Sequence, residues 1–271
     1  MERTLGELIG VNKLREFVQS LILTGRLKGS QPVSAMIIAE PERGKTSIVV
    51  EKQCEALMIM TDITGKGLQL LCQMNPRTTH FVINDMGVIG GHSAKTQNYF
   101  YAMLMAMTEE GIRAIATPDG VETSAAGRRG FIGCITTSQA TDKRHSWHKR
   151  GLARRIIPFH FDYSEDLVMK IKAEIDKDKP ASFDANEVFK IPEANIAVTV
   201  SERLSDEIRK IADVRSEELG QLGISLLKNY RTLAKGHALL RTWKNPEVSQ
   251  ADVEFLKRVD PYVDWKKAAI L

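Results

Sequence analysis

Apolar positions recur along this chain with two periods, and the change from one to the other predicts its architecture. Over residues 5–24, Leu8, Leu14, Val18, Leu21 and Ile22 fall near helical spacing, which predicts a helix. A turn at 28–32 precedes the short β-prone run 33–38. Residues 47–58 read as a helix, and 68–72 as a short apolar helix broken at 74–77 by Asn75-Pro76. His80-Phe81-Val82-Ile83 reads as a buried strand that ends at 84–87, and 90–93 as a loop. Residues 95–110 read as a helix carrying Tyr99, Tyr101, Leu104 and Met107. The segment 112–116 then turns at Pro118-Asp119-Gly120, and 130–137 is a further core strand. Strands alternating with helices predict an α/β fold with a parallel sheet.

From about Tyr163 the texture changes. Residues 165–178, 201–214, 222–243 and 249–259 all read as helices, and 196–200 is the one strand-like run among them. The expectation is an α/β domain over 1–162 and a smaller, mostly helical domain over 163–271. The polar stretch 177–180 reads as a connector. No internal repeat or low-complexity tract is visible.

Composition adds bounds. The 271 residues are 43% hydrophobic and 27% charged, ordinary for a globular protein. No apolar run is long enough to cross a bilayer, and residues 1–4 do not begin a secretory signal, so no membrane association is expected. Cys54, Cys72 and Cys134 are scattered in apolar segments without a C-x-x-C pair, which fits reduced core residues and a cytoplasmic setting. A formal net charge of +4 permits nucleic-acid contact without arguing for it.

The strongest chemical signal is Ala39-Glu40-Pro41-Glu42-Arg43-Gly44-Lys45-Thr46, followed by Ser47 and an apolar run. It matches the phosphate-binding loop G-x-x-x-x-G-K-[ST], with Ala39 in place of the first glycine. Strand, loop and helix follow in the order that lets main-chain N–H groups and a helix N-terminus hold a phosphate chain. Glu42, Arg43, Gly44, Lys45, Thr46 and Ser47 are the candidate nucleotide-binding residues. Lys45 would reach the terminal phosphates and the Thr46 hydroxyl would hold Mg²⁺.

Such a loop needs acids at the end of a neighbouring strand, and 81–87 is the candidate. Two registers are open. In one, Asn84 takes the metal position and Asp85 activates water; in the other, Asp85 holds the metal and Met86 replaces the base. The run of four residues before two polar positions and a hydrophobe-glycine favours the first. Asn84 lacks charge, which should weaken the metal or slow the chemistry. Thr137, at the end of the 130–137 strand, could reach a terminal phosphate, although such residues also cap strands. The run 142–155 holds six Lys or Arg and two His around Trp147. Lys143, Arg144, Lys149, Arg150 and Arg154 are candidates for nucleic-acid or intersubunit contact, against the plainer reading of a solvated face.

Taken together these segments resemble the AAA+ ATPases. Leu5-Gly6-Glu7-Leu8-Ile9-Gly10 is similar to the element that lines the family's adenine pocket, which implies nucleotide contact by Ile9. Residues 39–46 resemble Walker A and 81–85 Walker B, and Thr137 falls at the sensor-1 position. Gly151-Leu152-Ala153-Arg154-Arg155-Ile156 resembles the arginine-finger element, which implies that role for Arg155. Residues 233–240 with 248–253 resemble the helical lid. The 112–135 region is similar to a hairpin before sensor 1, as in helicases of the MCM type, and the Walker B form resembles that of helicase loaders and transposition ATPases. Three residues depart from the pattern: Ala39 for glycine, Asn84 for an acid and Arg154 for serine. No clean sensor-2 arginine is present; Arg231 lies on the expected helix, with Lys228 nearby.

The resemblance implies an ATPase using ATP and Mg²⁺, working as a homo-oligomeric ring or filament on DNA or a DNA-bound protein. Slow hydrolysis would reset assembly. Two alternatives stay open: a nucleotide-gated scaffold with little turnover, and a remodeller of polypeptides, although no aromatic-hydrophobic-glycine pore loop is evident.

Overall fold

The computed structural model describes residues 12–41, 43, 45–50, 54–112, 114–117, 120–123, 127–176, 189–220 and 223–265. Ile9, Glu42, Gly44 and the turn residues Pro118 and Asp119 lie outside them, as does the side chain of Ser47.

Five strands form one parallel sheet: β1 (Ser34–Ile38), β2 (Leu57–Met60), β3 (His80–Ile83), β6 (Gly130–Ile135) and β7 (Ile156–His160). Their order is β2-β3-β6-β1-β7. β4 (Ala114–Thr117) and β5 (Gly120–Thr123) pair antiparallel as a separate hairpin, as the resemblance implied. The central strands β1, β3 and β6 are buried at every position, as expected when helices cover both faces of a sheet. This is an α/β fold, a five-stranded parallel sheet flanked by helices.

The helices are α1 (Asn12–Leu23), α2 (Lys45–Val50), α3 (Gly65–Met74), α4 (Met86–Gly90), α5 (Ala94–Glu109), α6 (Thr137–Arg150), α7 (Glu165–Ile175), α8 (Glu202–Leu219), α9 (Ile224–Arg241) and α10 (Gln250–Val259). Three differences from the sequence reading have simple causes. Leu57 and Met58, read as helix, begin β2, because the apolar run Leu57–Met60 pairs beside β3. The predicted strand 130–137 stops at Ile135: Thr136 caps α6 through a capping box with Gln139, and Thr137 is already helical. The strand β7 was not read from the sequence. Pro158 disfavours a central strand, but β7 is an edge strand, where a missing N–H is tolerated.

The helices after residue 163 share one hydrophobic core with α1 and the sheet. α9 packs closely on α1: a Cβ added at Gly236 would lie 2.3 Å from the Ser20 carbonyl oxygen. A buried polar cluster fixes the same contact. His237 on α9 stacks on Phe255 of α10, with centroids 4.2 Å apart, and bonds Asp252 at 2.5 Å and Glu16 of α1 at 3.0 Å. Arg241 pairs with Asp252 and Arg258 with Glu16. Burial pulls the imidazole pKa down, but the bonds to Asp252 and Glu16 outweigh it and raise the pKa above 6.5. Burial pushes the Asp252 carboxyl up, but its His237, Arg241 and Ser249 partners bring it down to about 2.

Candidate functional site

Parallel strands present all their C-terminal ends on one edge, and ligands of open α/β sheets bind there. β1 ends at Ile38, and Ala39 is fully buried with its N–H on the Ile135 carbonyl. Among the described residues only Asn245 is a non-glycine with positive φ. The Ala39 backbone therefore does not need glycine, which explains how alanine fits the first position of the loop motif.

Lys45 and Thr46 open α2 at this edge. Lys45 Nζ donates to the Glu40 carbonyl at 3.3 Å, folding the ammonium back over its own loop. Thr46 Oγ1 donates to the Asn84 carbonyl at 3.3 Å, which ties the loop to the end of β3. Beneath them lies Cys134 of β6, a residue that sequence reading set aside as core. Burial pushes its thiol up to about 12, opposed by the Lys45 charge and a bond with Thr46. It is an inert floor to the site.

Asn84 is the first residue beyond β3. Its Oδ1 is buried and has no hydrogen-bond partner among the described residues. A buried amide oxygen left without a donor is costly, and a site that admits a cation or water would satisfy it. Asp85 is exposed and caps α4 by accepting the Gly87 N–H at 2.7 Å. Gly87 keeps this corner open to Gln139, whose Nε2 would be 2.3 Å from an added Cβ. Thr137 is buried at the start of α6, behind the capping Thr136.

Arg43 points away from Lys45. It pairs with Asp162 at 3.3 Å and lies over the Tyr163 ring at 5.5 Å, both just beyond β7. Burial drives the Tyr163 hydroxyl up to about 12, with Arg43 opposing. Neither Asp162 nor Tyr163 carried a sequence signal, because an ordinary strand-end pair has no motif.

Arg155 immediately precedes β7, on the N-terminal edge of the sheet. Its Nη1 donates to the Gly151 carbonyl at 2.5 Å, and its Nε pairs with Glu109 at the end of α5. A cleft of about 350 Å³ opens here, lined by Glu109, Arg154, Arg155 and Ser34 and by Lys228 and Asn229 of α9. Arg231, one turn further along α9, is exposed. Lys228 thus stands on the Arg155 edge.

The basic run of 142–155 is divided among different surroundings. Arg150 donates to Asn98 at 2.6 Å and lies over Tyr101 at 5.8 Å, so it packs α6 on α5. Lys143 approaches Gly90, while Lys149 is exposed. Arg144, His145, His148 and Thr141 line one hollow on the face of α6. Burial lowers the His148 pKa, and the charges of Arg144, Arg154 and His145 lower it further, so this face is a patch of like charge.

The groups at the Lys45 edge fit a triphosphate with a divalent cation. An ammonium and the N-terminus of α2 suit the phosphates, and a hydroxyl beside an unpartnered amide oxygen suits a hard cation. No group of three or more His, Cys, Asp or Glu able to hold a metal on its own occurs among the described residues.

No family model matches the chain, and no curated protein matches it in sequence. Its likeness is in structure. A full-length MCM homolog from Methanopyrus kandleri superposes with a TM-score of 0.57 at 12% identity, over 97% of this chain and 57% of that one. A proposed ATPase from Cytophaga hutchinsonii gives a TM-score of 0.49 at 10% identity, over 98% of this chain and 88% of that one. The chain therefore spans little more than half the length of the MCM homolog. At these identities the likeness is one of fold alone, shared with the MCM homolog.

Proposed function

We propose that this chain is an AAA+ ATPase that binds ATP–Mg at the Lys45 edge and completes that site with Arg155 of a second copy. The carrying observation is that Lys45 and Arg155 leave opposite ends of adjacent parallel strands. One copy cannot bring them to one phosphate. A head-to-tail contact can, and such a contact closes into a ring or extends into a filament.

Bound ATP–Mg would supply the scissile phosphoanhydride and the charge to be neutralised. Lys45 would hold the phosphates, together with the loop residues Glu42, Arg43, Gly44 and Ser47 that the motif assigns to them. Thr46 Oγ1 and Asn84 Oδ1 hold the metal, the register that the unpartnered Asn84 oxygen supports. Asp85 would leave its cap on Gly87 to orient the attacking water, and Thr137 would help position it. Arg155 of the neighbour approaches the terminal phosphate, with Lys228 and Arg231 of its lid on the same side. The resemblance assigns Ile9, outside the described residues, to the base.

Neutral Asn84 in the metal position supports slow turnover that resets assembly, and equally a second reading: a nucleotide-gated scaffold that hydrolyses little. The cationic face of α6 and the β4–β5 hairpin support action on DNA or a DNA-bound partner. Size-exclusion chromatography with light scattering, run with ATP–Mg, with ADP and with neither, tests assembly. An ATPase rate raised by DNA supports the first reading. Tight ATP binding without turnover supports the scaffold. A chain that remains monomeric and binds no nucleotide overturns both.

A further inference from the structure

We infer that Glu109 is a latch on Arg155: it holds the arginine in a lone subunit and releases it to the phosphate of a neighbour. The inference rests on the proposed intersubunit role of Arg155 and adds how that role is regulated.

Glu109 is set firmly in place. It is the last residue of α5, and its carbonyl accepts from Gln31 Nε2 at 2.8 Å. Gly111, with φ +76°, closes the helix by donating to the Ala106 carbonyl. The Glu109 carboxylate meets Arg155 Nε while Gly151 O takes Nη1, so the guanidinium is folded back onto its own subunit. In that pose the guanidinium is held by the charge of Glu109 beside Nε and by a hydrogen bond from Nη1 to Gly151 O. Both side chains are part-exposed, at 29% and 45%, so the pair is weak and reversible. A triphosphate carries more negative charge than one carboxylate and draws the arginine away. Arg154 and Lys228 line the same cleft and add to its attraction for an incoming anion.

In a single copy the latch keeps the finger off stray anions, and only a nucleotide-loaded neighbour opens it. Glu109 is therefore a positioning residue that sets the threshold for assembly.

The test is the protein concentration at half-assembly in ATP–Mg, by light scattering, for the full chain, E109Q, R155A and the double variant. Removing a part-exposed ion pair is worth about two- to five-fold, so E109Q should assemble at about two- to five-fold lower concentration. In the R155A background E109Q should change nothing, because the latch has lost what it holds; a merely structural role would show in both backgrounds. Melting curves without nucleotide establish that each variant folds, and E109D, which keeps the charge, should behave nearer the parent. If E109Q assembles no better than the parent while R155A loses assembly, the latch is overturned and the proposed function stands. If the parent itself does not assemble with ATP–Mg, the underlying reading fails and takes the latch with it.

Discussion

Lys45 and Arg155 stand at opposite ends of the same pair of parallel strands. β1 and β7 run in register from Ser34 beside Ile156 to Ile38 beside His160. Arg155 comes just before that pairing begins and Lys45 lies beyond where it ends. At about 3.3 Å per residue the strands alone separate the two edges by roughly 15 Å. On the proposed function the lone subunit therefore holds two half-sites, one to grip phosphate and one holding an arginine in reserve.

Replacing Lys45 with alanine should remove the gripping half. A hydrogen bond to a charged group contributes about 1.5–3 kcal/mol, so ATP–Mg binding should weaken by about ten- to a hundred-fold in calorimetry. The melting temperature without nucleotide should hardly change, since among the described residues Lys45 Nζ makes a long bond to Glu40 O.

Asn84→Asp should act in opposite directions with and without metal. Without Mg²⁺ it buries a carboxylate where an amide oxygen already lacks a partner, costing about 1–3 kcal/mol of stability. With ATP–Mg it supplies the missing charge, so stability should recover and turnover should rise. Thermal melting in EDTA and in ATP–Mg, with ATPase rates, reads both effects.

The His237 cluster predicts a pH optimum for the packing of α9 on α1. The imidazole pKa is raised on folding, so its contribution is fully present below the ordinary 6.5 and fades as pH climbs through the higher folded value. Asp252 is lowered to about 2 and Glu16 is lowered too, so their contributions are present above the ordinary 3.8 and 4.5 and fade as acid reaches the folded values. Stability from the cluster should peak between about pH 4.5 and 6.5. His237→Phe should flatten the alkaline side of a melting-temperature profile. Asp252→Ala should cost about 3–5 kcal/mol by leaving Arg241 and His237 without their carboxylate.

Gly236→Ala tests the same contact sterically. The added methyl would meet the Ser20 carbonyl oxygen at 2.3 Å, and backbone on both helices cannot yield cheaply. A loss of about 1–3 kcal/mol is expected in denaturant unfolding.

The sequence was legible where one residue type does one thing. Largely apolar runs marked β1, β3 and most of β6, because a strand covered on both faces admits few polar residues, and Ser34 and His80 are buried with hydrogen-bond partners. Gly44-Lys45-Thr46 marked the loop because few residues can replace them. The boundary of β6 was missed by two residues because Thr136 and Thr137 suit a strand as well as a helix cap, and only the Gln139 partner decides. β2 was absorbed into a helix because Leu57–Met60 lacks β-branched residues apart from Ile59. The site was legible along the chain and not across it. Nothing local links Glu109 to Arg155, or Arg43 to Asp162, since each pair is made by the packing of distant elements.

Mixing two disabled variants tests the shared site most directly. Lys45→Ala removes the phosphate grip and keeps Arg155; Arg155→Ala does the reverse. Loss of a trans arginine lowers turnover about 10³–10⁵-fold where the role is established, so each variant alone should be nearly inactive. In an equimolar mixture about a quarter of head-to-tail contacts join an intact Lys45 to an intact Arg155, and ATPase activity should return to about that fraction of the parent's. A mixture as inactive as its components, although light scattering shows that they co-assemble, would contradict the account, as would an Arg155→Ala variant with full activity on its own.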